Sequence, residues 1–277
     1  LRREDVSTVD AGLFQALDDF SAPQRMVYSP GCGTAYGCAG GDATTDAPDL
    51  DQVVTVFDSF AVDDYDISIV GAEQPGALVQ WLQDNGYRVP DRGEEVFAAY
   101  VDRGYHFVTV RFSPKADPWT TGEGSGGSAG DPYRPPAEDL APALVLRFPI
   151  TMNTFPLQIS SLSSDRTSEV LLFTLGRGRY RVAPSDFATV EMTLPISYQG
   201  DNFTGFYRNQ LNATLTKAGG RAFAVEYAGP LPSDIEQFSR LASLREGADD
   251  ELFLTRLHAR LEPEQMDRDV TLEPVLG

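Results

Sequence analysis

The segment Ala77-Leu-Val-Gln-Trp-Leu-Gln-Asp-Asn-Gly-Tyr-Arg-Val-Pro90 spells out a helix, its stop and a chain break in direct succession. Leu78, Trp81 and Leu82 recur at helical spacing and form one apolar stripe. Pro75 suits the first turn, where its missing donor costs nothing. Asn85-Gly86 ends the helix, because glycine takes the left-handed conformation that helix termini need. Val89-Pro90 then interrupts the chain.

On the N-terminal side, Gln52 to Ala61 and Asp66 to Val70 are β-branched and aromatic runs on either side of Val62-Asp-Asp-Tyr65, the pattern of a hairpin. On the C-terminal side, Glu94 to Asp102 reads as a second helix with Val96, Phe97, Tyr100 and Val101 inward, ended by Gly104. Tyr105 to Phe112 has apolar groups on both faces and belongs inside a sheet, with His106 as a core or rim residue. Further upstream, Ala11 to Phe20 reads as a short helix before Pro23, and Gln24 to Ser29 as a brief strand.

Between Ser113 and Glu138 no hydrophobic period survives, and Gly122-Glu-Gly-Ser-Gly-Gly-Ser-Ala-Gly130 marks a linker or long surface loop. It lacks the Gly-Lys-Ser/Thr ending of a phosphate cradle. Beyond it, strands are expected over Ala143 to Ile150, Phe155 to Leu162, Glu169 to Leu175, Tyr180 to Ala183 and Thr189 to Leu194. A helix from about Phe203 to Ala218, capped by Asp201 or Asn202, precedes a strand from Arg221 to Tyr227. Ser233-Asp-Ile-Glu236 is a capping box for a further helix that stops near Gly247, and Glu251 to Leu261 alternates as a strand. These readings give an α+β protein of two lobes, each a mostly antiparallel sheet with a few packed helices. The expected division is residues 1–115, a linker over 116–138, and residues 139–277.

Composition narrows the function classes. The formal charge of −19 argues against nucleic acid, whose recognition needs a basic footprint. No apolar run reaches the roughly 20 residues of a membrane-spanning helix. No signal peptide stands at the start, and Leu1-Arg-Arg-Glu4 reads as a cut within a longer precursor. Cys32 and Cys38, in a glycine-rich loop, are expected to close a small disulfide ring, and an oxidising compartment follows from that pairing.

Candidate sites are few. Asp42, Asp46, Asp49 and Asp51, and separately Asp63, Asp64 and Asp66, supply hard loop oxygens; neither group matches an EF-hand, so solvated acids are the default and a calcium site is the alternative. Arg256, His258 and Arg260 line one face of the last strand, a basic row suited to an anion or to a partner's carboxylates, or to pairing with a neighbour such as Glu226. Arg177, Arg179 and Arg181 form a second basic turn. No Gly-x-Ser-x-Gly elbow exists, and neither histidine offers a serine triad a base. No catalytic residue is assigned.

The blocks Leu13-Phe-Gln-Ala-Leu17, Leu78-Val-Gln-Trp-Leu-Gln-Asp-Asn-Gly-Tyr-Arg-Val-Pro90 and Tyr105-His-Phe-Val-Thr-Val-Arg-Phe112 together resemble a bacterial family catalogued as domain of unknown function twenty-three thirty. Leu144-Val-Leu-Arg-Phe-Pro149, Ala222-Phe-Ala-Val-Glu-Tyr-Ala228, Leu254-Thr-Arg-Leu-His-Ala-Arg-Leu261 and Glu264-Gln-Met-Asp-Arg-Asp269 extend the likeness over nearly the whole chain, and Trp81 to Tyr87 is its most specific piece. The resemblance implies export and no known activity. The expected role is therefore non-catalytic binding or assembly with a protein partner or another copy, in the periplasm, at the cell surface or in the medium. No cofactor is expected; solvated acids are the default reading of the aspartate loops, with calcium as the alternative. The alternatives are a secreted hydrolase with a carboxylate pair and a calcium or small-ligand binding module.

Overall fold

The computed structural model of the chain describes residues 1–10, 12–23, 54–113, 141–149, 153–192, 202–232, 238 and 252–275. Strand β1 (Val6–Val9) and helix α1 (Gly12–Ser21) come first, then β2 (Val54–Val62), β3 (Tyr65–Ala72), α2 (Pro75–Asp84), α3 (Gly93–Val101), β4 (Phe107–Phe112) and β5 (Ala143–Leu146). After these come β6 (Asn153–Phe155), α4 (Leu157–Ser160), β7 (Ser168–Gly176), β8 (Tyr180–Val182), β9 (Ala188–Glu191), α5 (Phe203–Lys217), β10 (Ala222–Pro230), β11 (Phe253–Leu261) and β12 (Val270–Pro274). The fold is α+β, with mostly antiparallel sheets and packed helices in two sheet-bearing units.

The first unit comprises Leu1–Gly12 and Ser29–Pro149, the second Leu13–Tyr28 and Ile150–Gly277. Among the described residues the boundaries fall after Gly12 and after Pro149. Two pairings account for this. Strand β5 joins β1 in an antiparallel ribbon, and α1 buries Leu13 and Leu17 in the second unit.

In the first unit, β2, β3 and β4 form an antiparallel sheet with β3 in the middle. The β2–β3 turn is tight, and Asp63 adopts a left-handed φ of 50° there. Val6, Val62 and Ile67 make a buried core with Phe60, Val108, Val110 and Leu144, so the β1–β5 ribbon covers one face. Residues of a strand alternate between faces, and α2 packs against β3. Leu78 and Val70 are fully buried, and Phe97 of α3 meets Phe107 edge-on at 5.8 Å.

Strand β4 starts two residues later than expected. His106 is exposed, ahead of the first ladder pair, Val70 with Phe107. Its ring lies 4.5 Å from that of Phe57, which occupies a bulge of β2 and rests on Gly71. A Cβ at Gly71 would come within 2.8 Å of the Phe57 ring, so glycine is needed for this approach.

In the second unit the sheet order is β7-β11-β10-β9. The β9–β10 pair is parallel, a departure from an antiparallel lobe; it requires a crossover, and α5 supplies it. Asn202 caps α5 by accepting from the Gly205 amide at 2.8 Å. Leu257, Ala259 and Leu261 of β11 pack with Phe187, Phe223, Met266 and Val270 in the main core, which the smaller sheet β6-β12-β8 joins through Val182 and Val270. On the opposite face Leu211 and Leu215 of α5 cover Ala222 and Ala224.

The expected strand over Phe155 to Leu162 ends at Phe155 and becomes α4 after Pro156. A short apolar run does not distinguish strand from buried helix. Asp269 decides it locally, accepting the Gln158 amide at 3.1 Å in the first turn.

The disulfide expected between Cys32 and Cys38 is corrected, for no such bond is found, and both residues lie outside those described. Spacing and glycines permit a ring without imposing one, since bonding needs the sulfurs at about 2.05 Å with a fixed torsion. The expected Gln24 to Ser29 strand and Ser233 capping box also lie outside the described residues; of the helix expected after the box only Phe238 is described, and it is buried. No described helix is long and apolar enough to cross a membrane.

Arg221, at the start of β10, clamps Asp267 ahead of β12 by a bidentate contact. That hydrogen bond holds the Asp267 carboxyl below its ordinary pKa of 3.8; burial opposes the shift and Arg268 adds to it. A depressed folded pKa contributes stability above the unfolded value, and this is lost as pH falls through the folded one. Asp267→Asn is therefore expected to lower stability at pH 7 by about 0.2–1 kcal/mol, the range for a half-exposed pair. The gap to the parent should close below pH 4, measured by denaturant unfolding across pH; a gap that persists at low pH contradicts the assignment.

Candidate functional site

Two polar constellations stand out among the described residues, one in each unit. The first is built by the end of α2. Its terminal turn is a Schellman motif in which the Gly86 amide donates to the Gln83 carbonyl at 2.9 Å and the Tyr87 amide to the Leu82 carbonyl at 2.8 Å. Gly86 has a φ of 77°, a conformation other residues adopt only with strain. The turn sends Tyr87 back over Arg111 of β4, whose guanidinium carbon lies 5.4 Å from the ring centroid. Arg111 also donates to the Asn85 carbonyl. A Cβ at Gly86 would press on this guanidinium at 3.3 Å.

Asp66 and Ser68 of β3, Trp81 and Asn85 of α2, Tyr87 and Arg111 enclose a shallow pocket of about 100 Å³. Asp66 sits directly across the ladder from Arg111. No ion pair joins them; Arg111 is drawn to Asn85 and Tyr87, and Asp66 accepts from the Ser113 hydroxyl at 2.8 Å. Ser68 shares a hydrogen bond with Ser59 of β2 at 2.5 Å. The pocket thus keeps a cation and an anion apart, flanked by an indole and a phenol.

The second constellation holds the basic row of β11. A bulge in β10 between Val225 and Tyr227 sets Glu226 against it, with its side chain entirely buried. Glu226 accepts from Arg256 Nε at 2.5 Å and from His258 Nδ1 at 2.7 Å. An ionised carboxylate only accepts, so Nδ1 carries the proton. Arg256 also reaches Asp18 of α1 at 2.6 Å and lies over the Phe173 ring at 5.5 Å. Arg260 Nη1 donates to Asn212 of α5 at 2.6 Å, while its Nε is 3.3 Å from Glu169 without hydrogen-bond alignment. Burial raises the pKa of the neighbouring Tyr227, whose hydroxyl donates to the Pro230 carbonyl at 3.0 Å. These donors are spent inside the unit.

Residues 2–273 match a family described as an uncharacterized protein conserved in bacteria, DUF2330. The chain belongs to this family. The comparisons with curated proteins and with solved structures find no match. The family match spans both constellations, and Trp81 to Tyr87, which carries the likeness in sequence, supplies three walls of the pocket.

In this family member the described candidate acids Asp63, Asp64 and Asp66 do not gather. Asp63 accepts from Thr8, the Asp64 carbonyl takes the Ser113 amide at 2.7 Å, and Asp66 faces the pocket. Among the described residues no group of three metal-binding side chains forms; Asp42, Asp46, Asp49 and Asp51 lie outside them. Of the second basic turn, Arg179 pairs with Glu191 and Arg181 with Glu273. Sequence reasoning assigned Trp81 to a core stripe and passed over Tyr87, Ser68 and Arg111. The available signal was the alternation of β3 and β4, which sets Asp66 and Arg111 on one face once the register is known.

Glu226→Leu is expected to destabilise the protein by about 3–5 kcal/mol, because it strips Arg256 of a buried counter-charge and His258 Nδ1 of its partner. Equilibrium unfolding measures this, and a loss below about 1 kcal/mol contradicts a structural role for the layer.

Proposed function

We propose that this protein works by non-catalytic binding outside the cytoplasm, adding an extended, basic segment of a protein partner to the free edge of β2. One observation carries the reading: Thr55, Val56, Phe57, Asp58 and Ser59 are all exposed, and no described strand pairs with the outer edge. Val56 is 45% and Phe57 54% exposed, and β2 contains neither lysine nor proline, the usual protections of an edge. An edge of this kind recruits a strand through main-chain hydrogen bonds, with side-chain contacts giving selectivity.

Charge favours a basic partner over a second copy. Two chains of −19 repel each other at low salt, whereas a basic segment is attracted to Asp58 and to the acids of the adjoining turn. Chemistry finds less support. The pocket presents one carboxylate, Asp66, where acid-pair hydrolysis requires two. Of the histidines, His106 lies against Phe57, and His258 is engaged by Glu226. Placement outside the cytoplasm rests on the export that the family likeness implies, and calcium bridging of the aspartate loops remains part of the proposal.

A peptide alternating valine and lysine is expected to slow amide exchange over residues 55–61, an effect lost in Phe57→Lys and weakened by salt. Light scattering in calcium and in chelator should give a monomer at low salt in both. Unchanged exchange with the peptide overturns strand addition, and mass that grows with salt replaces the partner by a second copy.

A further inference from the structure

We infer that the pocket of Asp66, Ser68, Trp81, Asn85, Tyr87 and Arg111 binds one ring of a neutral polyhydroxylated ligand, a sugar. The charges decide the class. Asp66 and Arg111 are cross-strand neighbours that do not pair, so the pocket offers a carboxylate acceptor and guanidinium donors at separate points. An anion drawn to Arg111 meets the repulsion of Asp66, and a cation drawn to Asp66 meets that of Arg111. A zwitterion satisfies both only by giving up the hydration of two full charges, and an open, solvent-screened pocket returns little for that.

A hydroxyl group both donates and accepts without carrying charge, so neighbouring hydroxyls on one ring can answer Asp66 and Arg111 together. The Ser68 hydroxyl adds a group that does both, although it already shares one bond with Ser59. Trp81 and Tyr87 are the aromatic members of the lining, beside a few placed polar groups, and a sugar ring carries C–H groups for the first and hydroxyls for the second. A volume of about 100 Å³ admits the face of one ring and leaves the rest in solvent, a shape open to a residue that continues into a longer chain.

The geometry is held in advance. The Schellman turn fixes Tyr87, and Tyr87 with the Asn85 carbonyl fixes Arg111, so little side-chain freedom remains to be lost on binding. This site is independent of β2 strand addition, and Phe57→Lys is expected to leave sugar binding unchanged.

The chain has two tryptophans, Trp81 and Trp119, so a Trp119→Phe variant reports on Trp81 alone. Glucose, galactose, mannose and N-acetylglucosamine titrated into it are expected to give, for at least one sugar, a saturable change in indole emission at about 1–50 mM. Arg111→Met, which keeps the stem over Tyr87, and Asp66→Asn should each weaken that binding about tenfold while the melting temperature stays near the parent's. If Arg111→Met does not fold, Asp66→Asn carries the test. Sodium acetate, inorganic phosphate and alanine serve as anionic and zwitterionic probes. Saturation by one of these and by no sugar overturns the inference, as does silence from all sugars or sugar binding untouched by both variants. Tighter binding of an oligosaccharide than of its monomer assigns the source as a glycan chain, and equal binding assigns it as the free sugar; both outcomes support the site.

Discussion

Glu226 has no exposed side-chain surface, and its position constrains the second unit more than any single apolar contact. A buried carboxylate must be answered by charge and hydrogen bonds or it costs several kcal/mol. Arg256 and His258, on the adjacent strand, answer it. Arg256 in turn needs Asp18, so α1 belongs to a sheet formed more than 200 residues later in the chain. The bulge makes this possible by letting Glu226 project where a regular ladder offers one residue fewer. Arg260 and Asn212 extend the same polar layer toward α5.

The first unit is organised by different means. Its sheet is sealed on one face by the β1–β5 ribbon and on the other by helices, and its remaining freedom lies at the edge and at the mouth of the pocket. A left-handed glycine, Gly86, links the end of α2 to the placement of Arg111. It closes the helix, and its missing side chain leaves room for the Arg111 guanidinium. At Gly71 the absence of a side chain lets Phe57 lie across the sheet beside His106, so the most exposed aromatic of β2 still has a defined seat. The placement of Phe57 and of Arg111 in this unit depends on the missing side chains of two glycines.

The hairpin, α2, α3, α5 and the long strand β11 were legible in the sequence because each rests on local signals: period, caps and stops within a few residues. So was the family, from blocks spread over nearly the whole chain. The turn of Leu157–Ser160 into a helix was not legible, because it depends on Asp269, more than 100 residues away. His106 left the strand for a similar reason, since the ladder starts only at Phe107. The aspartate loops looked like one chemistry in sequence, and where they are described they serve separate bonds to residues distant in the chain. The disulfide expected between Cys32 and Cys38 from spacing and glycines is contradicted.

Composition by itself set the acidic character, which argues against a nucleic-acid footprint, and residue order placed a helix stop at Asn85-Gly86. Those are properties of single residues or near neighbours, and they survive any fold. Which carboxylate meets which guanidinium is different in kind. Asp66 faces Arg111 without pairing, while Glu226 is locked between Arg256 and His258, and the residue types are nearly the same. Only strand register, the bulge of β10 and the return of Tyr87 decide between an open polar pocket and a spent ion network. Electrostatic energy falls with distance and rises with burial, and neither quantity exists until the chain has folded.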